Sequence, residues 1–83
     1  KTHKTSFINR AIEKILSERG LPGDLKVYYA FQESTAPPTV VVFTNDPEKW
    51  KESYKRFFVK RLREYLNMKH SPIKLVLKGR EEG

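Results

Sequence analysis

The sequence contains no cysteine and only two histidines, His3 and His70. Without cysteine there can be no disulfide bond and no thiolate-bound metal, and such a chain suits the reducing cytoplasm, where we expect it. Neither histidine has a second histidine or a carboxylate at ligand spacing, so we predict no metal site. No Ser/His/Asp set and no pair of carboxylates stands out, and we therefore expect no catalytic residues and no enzyme activity from this chain.

Long apolar runs are also missing. Runs such as residues 40–43 are far short of the roughly 18 residues that a membrane span needs. Residues 1–5 are polar and lack the apolar stretch of a signal peptide. The phosphate-binding motif G-x-x-x-x-G-K-[ST] does not occur, so the sequence offers no GTP site of that kind. We expect no membrane partner, no small-molecule substrate and no cofactor in this chain.

Basic and aromatic residues are what the sequence has in abundance. Its 83 residues, enough for one small domain, include 17 Lys or Arg and 10 Asp or Glu, a net charge of +7. Aromatic residues make up 12%, too many for a disordered tail. The basic excess favours a polyanionic partner, most often nucleic acid, although a merely well-solvated surface can have the same composition. We treat residues 1–83 as a single domain whose ends, residues 1–4 and 79–83, are frayed.

The first part of the sequence predicts a helix. We expect Thr5 or Ser6 to cap it, about Arg19 to be its last residue, and Gly20 to end it in the left-handed conformation. Apolar residues recur at helical spacing and form one face, namely Phe7, Ile8, Ala11, Ile12, Ile15 and Leu16.

Two strands are predicted next, joined by a short loop and therefore antiparallel. Residues 25–31 alternate in polarity, with Tyr28 on the side expected to face solvent. The β-branched and apolar residues 39–44 are typical of a central strand buried on both faces. Residues 32–38 are expected to be loop, because two consecutive prolines cannot continue a hydrogen-bonded ladder. The opposite, buried face of the first strand is predicted to carry Leu25, Val27, Tyr29 and Phe31.

A second helical region follows the capping residue Asp46. If this region were one continuous helix, Lys51 would lie in the middle of its aromatic face, which is a costly place for a charge. We therefore predict a short turn over residues 47–51 and then a longer helix over residues 53–66, capped by Ser53. Its aromatic residues have the spacing of a core-packing face rather than of a stacking platform for RNA.

The last predicted element is a strand over residues 73–78, with Lys74 and Lys78 on its polar side. It should run parallel to the second strand, because the intervening helices form a crossover connection. The order α-β-β-α-α-β is that of a type II KH domain. We thus predict an α+β, KH-like fold with a three-stranded mixed sheet and helices packed on one face.

Four short blocks between about residues 5 and 78 resemble one known family. They read LKVYY, PPTVVVFTN, SYKRF followed by RLRE, and SPIKL. The blocks resemble the C-terminal KH-like domain of the bacterial double-GTPases Der, also called EngA, in order and at family-like spacing. The sequence departs from that pattern at Val40, where an aromatic residue is usual, and before Pro72, where a glycine is usual. The family-motif residues are Pro37, Pro38, Thr39, Asn45, Ser53, Tyr54, Arg56, Leu62, Arg63, Pro72 and Ile73.

The resemblance implies a role for the chain as a binding module. It implies two GTPase domains upstream, which would hold GTP and Mg²⁺, and a function in assembling the large ribosomal subunit. The expected partners are ribosomal RNA and those GTPase domains. The alternative is a module that docks only on the GTPase domains and senses their nucleotide state without touching RNA.

A KH domain grips the RNA backbone with a G-x-x-G loop between the two helices that follow its central strand. The G-x-x-G of this sequence, Gly20-Leu21-Pro22-Gly23, lies before the first strand, where a helix stop and a turn explain it. At the position of the KH loop the sequence reads Trp50-Lys51-Glu52-Ser53. Because this segment lacks both glycines, we expect the standard KH grip to be lost.

Basic residues offer another route to a phosphate backbone. On a helical projection the basic residues Lys49, Arg56, Lys60 and Arg63 lie on one outward side of the second helix. The alternative is a solvated face on which Glu52–Arg56 and Lys60–Glu64 pairs support the helix. Arg61 projects to the aromatic side and is expected to stack on a ring or pair with an acid. All residues predicted to bind RNA or dock are Lys49, Lys51, Arg56, Lys60, Arg63, Lys74 and Lys78.

Overall fold

A computed structural model of the chain describes residues 2–79. Their order is α1 (Thr5–Glu18), β1 (Val27–Thr35), β2 (Pro38–Thr44), a 3₁₀ turn (Pro47–Lys49), α2 (Glu52–Tyr65) and β3 (Lys74–Gly79). This is the predicted α-β-β-α-α-β order, with the first helix after β2 reduced to a single 3₁₀ turn. The predicted α+β fold is confirmed.

The three strands form one mixed sheet in the order β1-β2-β3. Strand β1 is antiparallel to β2, and β3 is parallel to β2, both as predicted. The row Phe31–Val41–Val76 gives the register across all three strands. Val40 and Val42 on one face of β2 and Val41 on the other are almost completely buried, so β2 is the central strand buried on both faces that its β-branched sequence indicates.

The helices pack on one face of the sheet, as predicted. Side chains of both helices join residues of β1 and β2 in one core, and the ring of Trp50 meets the rings of Tyr54 and Phe58 edge-on. Such edge-to-face pairs favour burial of the aromatic face of α2. The fully buried members of this core include Ile8, Ile15, Ala30, Val42, Phe58 and Leu62.

Strand β1 contradicts the predicted alternation. It covers Val27–Thr35 rather than residues 25–31, and Ala30 and Gln32 are the buried side chains, whereas Tyr29 is 47% exposed. A pairing irregularity between Val27 and Tyr29 shifts the alternation by one residue. As a result, the predicted buried face of the strand beyond this point turns away from the helices.

The predicted loop over residues 32–38 is also wrong. Strand β1 continues to Thr35, which pairs with Pro38 at the start of β2, so the connection is a tight turn. Proline is compatible with the first residue of a strand, because that position need not donate to the ladder. The Ala36–Pro37 peptide bond in this turn is cis.

The helix starts differ from the predicted caps. Helix α1 has Lys4 at its N-cap and α2 has Lys51, and within residues 2–79 neither helix receives a capping hydrogen bond from the side chain at that position. Thr5 and Ser53 are therefore not the caps that the sequence suggested. The break at Lys51 is confirmed, and its side chain is exposed. Packing of the aromatic face fixes where α2 begins.

The end of α1 corrects a further prediction. The helix stops at Glu18, and Arg19 already has extended backbone with φ −152°. Gly20 is not left-handed; the left-handed glycine is Gly23, with φ +59°. The left-handed glycine therefore lies in the turn before β1, three residues later than the predicted position at the end of the helix.

The predicted frayed ends, residues 1–4 and 79–83, lie partly outside residues 2–79. The backbone N–H of His3 donates to Gln32 Oε1 at 2.8 Å, and Gly79 pairs with Thr44 in the sheet. Lys1 and residues 80–83 lie outside the described residues.

Candidate nucleic-acid interface

A groove of about 540 Å³ runs between α2 and β3. Its apolar lining is Val59 and Leu75. Such a surface can take the flat face of a nucleobase, while cations beside it can take the phosphates. The basic side chains of the groove are Lys55, Arg56, Lys60 and Arg63.

Helix and strand periodicity together build this groove. Val59 and Lys60 follow Arg56 by three and four residues on one side of α2, whereas Phe58 on another side is fully buried in the core. On β3 the side chains alternate, so Leu75 lines the groove while its neighbours in the strand point to the other face of the sheet. The buried face of α2 thus fixes the position of its basic face.

The ion pairs on α2 leave the groove cations available. Glu52 lies 3.4 Å from Lys55, and Glu64 contacts Arg61. The Glu52–Arg56 and Lys60–Glu64 pairs considered from the sequence are not among the ion pairs within residues 2–79. In that part of the chain Arg56 and Lys60 have no carboxylate within 4.0 Å, so neither has an acidic partner that a phosphate must displace.

Arg63 is only partly a groove residue. Its Nη2 donates to the backbone carbonyl of Lys69 at 2.7 Å, which ties the loop after α2 to the helix. Its Nε is buried and has no hydrogen-bond partner within the described residues. The expectation that Arg63 simply points outward is therefore wrong, because the guanidinium also holds the fold.

Lys49 and Lys51 lie elsewhere. They line a second hollow of about 540 Å³ beside the turn before β1, together with Asp24 and Glu48. Lys49 Nζ is also 4.0 Å from Asp46 Oδ2. Because acidic side chains line this hollow and lie beside its lysines, it is a poorer phosphate site than the groove.

The segment at the KH-loop position has a structural role. Trp50 is 4% exposed, and its Nε1 donates to Thr44 Oγ1 at 3.1 Å. Thr44 Oγ1 in turn donates to the carbonyl of Lys26 at 2.7 Å. A buried indole thus occupies the place where a glycine loop would approach phosphate. The G-x-x-G sequence lies before β1 instead. Its Gly23 lines the hollow that contains Lys49 and Lys51, but it is part of a turn.

Lys74 and Lys78 are on the sheet face away from the helices. They pair across the sheet with Thr39 and Phe43, and both are exposed. Strand β3 therefore presents Leu75 to the groove and these two lysines to the opposite face. The structure does not bring them together with Arg56 and Lys60.

Several family-motif residues hold turns together. Asn45 Oδ1 accepts the backbone N–H of Lys26 at 2.9 Å, and its Nδ2 donates to the carbonyl of Asp24 at 3.0 Å. The hydroxyl of Tyr54 donates to the carbonyl of Arg19 at 2.7 Å, just after α1 ends. These contacts fix the ends of β2 and α1.

The other motif residues are also structural or lie at the surface. Thr39 Oγ1 donates to the carbonyl of Pro37 at 2.9 Å beside the strand start at Pro38. Leu62 and Ile73 are buried in the core. Ser53 and Pro72 are exposed, and only Arg56 and Arg63 of the motif line the groove.

The sequence analysis missed three groove residues, Lys55, Val59 and Leu75. Lys55 was not among the basic residues selected on the helix projection, although it precedes Arg56 directly. Val59 and Leu75 were not singled out, and both are only half-buried. Their position at the border of the apolar arc, next to Arg56 and Lys60, was the signal that could have found them.

Arg61 holds α1 against α2, in agreement with the structural role predicted for it. Its Nε and Nη2 donate to the two carboxylate oxygens of Glu18 at 2.8 Å each, and its guanidinium lies 5.2 Å from the ring centre of Tyr65. The hydrogen bonds from Arg61, and then that from the Tyr65 hydroxyl, lower the pKa of Glu18 to about 2. The same hydrogen bond to Glu18 raises the pKa of Tyr65.

Residues 2–79 lack two further features. No helix there has the length and apolar character of a membrane span. Within residues 2–79, no group of three or more His, Asp or Glu side chains is placed to hold a metal ion.

Comparison with known proteins gives one consistent family. Residues 3–78 match the KH-domain-like, C-terminal domain of the EngA bacterial GTPases. The chain is 66% identical to GTPase Der of Aquifex aeolicus (strain VF5), over 99% of the chain and 20% of that protein. It is 45% identical to GTPase Der of Persephonella marina and 40% identical to that of a Sulfurihydrogenibium species, in each case over 94% of the chain and 18% of the relative.

The match covers the KH-like domain and none of the GTPase part of these relatives. The chain spans about a fifth of the length of the relatives it matches. The chain belongs to the family of C-terminal KH-like domains of the EngA (Der) bacterial GTPases.

Proposed function

We propose that this domain binds single-stranded segments of ribosomal RNA in the groove between α2 and β3. The observation that carries the proposal is the combination of an apolar lining, Val59 and Leu75, with two cations, Arg56 and Lys60, that lack acidic partners within residues 2–79. Nucleobases would pack on the lining and phosphates would contact the cations. Because the buried Trp50 replaces the glycine loop, side chains of α2 would supply the backbone contacts that the loop supplies elsewhere.

The relatives support a wider role for the module. They are named GTPase Der, and the chain corresponds to about a fifth of each. In our proposal the other part of the polypeptide holds GTP and Mg²⁺, acts in the cytoplasm and assembles the large ribosomal subunit. The groove would then hold the GTPase domains on the pre-ribosome.

The test is the salt dependence of RNA binding. The double variant R56E/K60E should weaken binding of a single-stranded ribosomal RNA segment and reduce the slope of log K against log salt by about 1 to 2, since each phosphate contact contributes roughly 0.7 to 1. The control K4E/K26E carries the same charge change on exposed residues outside the groove lining. If both double variants lose affinity equally, only net charge acts and the groove is not the site.

A second candidate function is docking on the GTPase domains without RNA contact. The absence of the glycine loop at Trp50 favours it. In that case R56E/K60E would weaken binding to separately supplied GTPase domains, in a way that changes between GDP and a GTP analogue, and would leave RNA affinity unchanged. The two functions thus differ in which ligand the same variant loses.

A further inference from the structure

The sheet face opposite the helices carries a connected set of aromatic rings. The ring centre of Tyr29 lies 5.5 Å from that of Phe43 and 6.3 Å from that of Phe31, and Phe31 and Phe43 are 6.2 Å apart. The three ring planes are inclined to one another by only 12° to 34°. Neighbours across and along a sheet have separations of this order, so the sheet itself sets the spacing of the rings.

Within residues 2–79 this face is exposed at its margins, whereas Val41 at its centre is buried. Tyr29 is 47% exposed, and Phe31 and Phe43 are half-buried. The sequence pattern had assigned Tyr29 and Phe31 to the core, and only the shift of alternation in β1 turns them outward. We call the face made by Tyr29, Phe31, Val41, Phe43, Lys74, Val76 and Lys78 the open sheet face.

Strand β3 places two positive charges on the open sheet face. Lys78 lies directly beside Phe43 in the cross-strand register, and Lys74 lies at the other end of β3 beside Thr39. Both lysines are exposed, and within residues 2–79 neither has a carboxylate within 4.0 Å. An apolar protein surface that covered the face would desolvate these ammonium groups without compensation, whereas phosphates would neutralise them.

We infer that the open sheet face is a second contact surface for single-stranded nucleic acid, on which bases stack on Tyr29 and its two neighbouring rings while phosphates contact Lys74 and Lys78. Flat aromatic side chains on a sheet with lysines beside them suit this ligand, because every base has a π-face and every linkage has a charge. The inference rests on the RNA-binding function proposed above and extends it to another face.

The two surfaces meet along one strand. Leu75 of β3 lines the groove, and the residues on either side of it in the strand belong to the open sheet face. One RNA strand that leaves the groove can therefore pass the edge of β3 and continue over the rings. Simultaneous contact would add the affinity of both surfaces.

The experiment compares matched variants of Tyr29 with a single-stranded oligouridylate as the probe. Tyr29→Ser removes the ring from an exposed position and should weaken binding about 5- to 150-fold, the effect of losing one stacked base. Tyr29→Phe keeps the ring and should bind as the unaltered chain does. The double variant K74Q/K78Q should reduce the salt slope by about 1 to 2. An unchanged thermal midpoint for each variant shows that the fold is intact.

Cross-linking locates the contact directly. With 4-thiouridine in the probe, photocross-links should appear on Tyr29, Phe31 or Phe43. If the chain binds RNA but Tyr29→Ser has no effect and the cross-links are confined to α2, the open sheet face is not an RNA surface and the groove remains. If Tyr29→Ser weakens only association with the GTPase domains, the face docks protein and the inference is wrong. If the unaltered chain binds no RNA, the proposed function itself fails.

Discussion

Glu18 and Arg61 determine how the ends of α1 and α2 meet. Their bidentate ion pair joins residues that are far apart in sequence, and Tyr65 donates a further hydrogen bond to the same carboxylate. The guanidinium also lies over the Tyr65 ring, 5.2 Å from its centre, which adds a cation–π contact. One acidic residue therefore collects three favourable contacts, and its pKa falls from 4.5 to about 2 because of them.

This lowered pKa predicts a pH-dependent stability. A carboxyl whose pKa is lower in the folded state stabilises the fold above its unfolded pKa, and this contribution is lost as the pH falls from about 4.5 to about 2. Glu18→Gln should therefore lower the thermal midpoint at neutral pH and have a much smaller effect near pH 2. Glu13→Gln, an exposed acid of the same helix, is the control. Equal differences at both pH values would contradict the coupling of Glu18 to Arg61.

Asn9 supports the edge of β1 in a way that the sequence pattern did not show. Its Nδ2 donates to the carbonyl of Ala30 at 2.8 Å, and its Oδ1 accepts the N–H of Ala30 at 2.9 Å. The side-chain amide thus pairs with the strand as a neighbouring peptide would, and it covers part of an edge that could otherwise pair with another chain.

Asn9→Ala should destabilise the fold by about 1 to 3 kcal/mol, because two partly buried backbone groups of Ala30 lose their partners. Ser17→Ala is a matched control, since it removes an exposed side-chain hydrogen bond to the carbonyl of Lys14 in the same helix. Its effect on chemical denaturation should be close to zero. If Asn9→Ala also changed the free energy of unfolding by close to zero, water would have replaced the amide as the hydrogen-bond partner of Ala30.

At the scale of elements, periodic patterns predicted the helices, the strands and their topology. They could not locate a shift of side-chain alternation within a strand or the residue at which a helix begins. The wrong face of β1 follows from a pairing irregularity between Val27 and Tyr29, which depends on β2 and not on the sequence of β1. The exposure of Lys51 was predicted correctly, because burial of a lysine charge is costly in any packing arrangement. The cap at Ser53 failed because core packing, not capping, determined the start of α2.

The turn between α1 and β1 offers a prediction about its two glycines. Gly23 has φ +59°, so Gly23→Ala should cost about 1 kcal/mol, and Gly23→Asn should cost less because asparagine tolerates this conformation. Gly20→Ala should be neutral or slightly stabilising, since a Cβ there would come no closer than 4.0 Å to Leu16 O. Thermal midpoints check the order of the three variants.

RNA affinity of the same variants tests the role of the G-x-x-G sequence. If it serves only the turn, affinity should change in none of them beyond what their stability explains. Selective loss of RNA binding by Gly23→Ala at an unchanged thermal midpoint would instead make this tetrapeptide a phosphate grip.

At the scale of the whole molecule, the net charge favours a class of partner but does not indicate where that partner would bind. Arg56 and Lys60 were found from helix periodicity alone, and the structure places both in the groove. Lys74 was selected with them, but strand alternation puts it on the other side of the sheet. Val59 was overlooked because half-buried apolar residues look like core until the neighbouring strand is known. Sequence thus indicates which element carries a charge, and the packing of elements decides which charges act together.

The chain matches only the KH-like part of its larger relatives, and we predict that it binds neither GTP nor GDP. The sequence has no phosphate-binding loop, and in the groove only the cationic side chains of α2 are available to the phosphates of a nucleotide. Calorimetric titration with GTP or GDP and Mg²⁺ should show no saturable heat, whereas titration with single-stranded RNA under the same conditions should. Inorganic triphosphate serves as the control for simple charge attraction, which salt should abolish. A saturable micromolar affinity for GTP that persists at high salt and exceeds that for triphosphate would require a nucleotide site within these 83 residues.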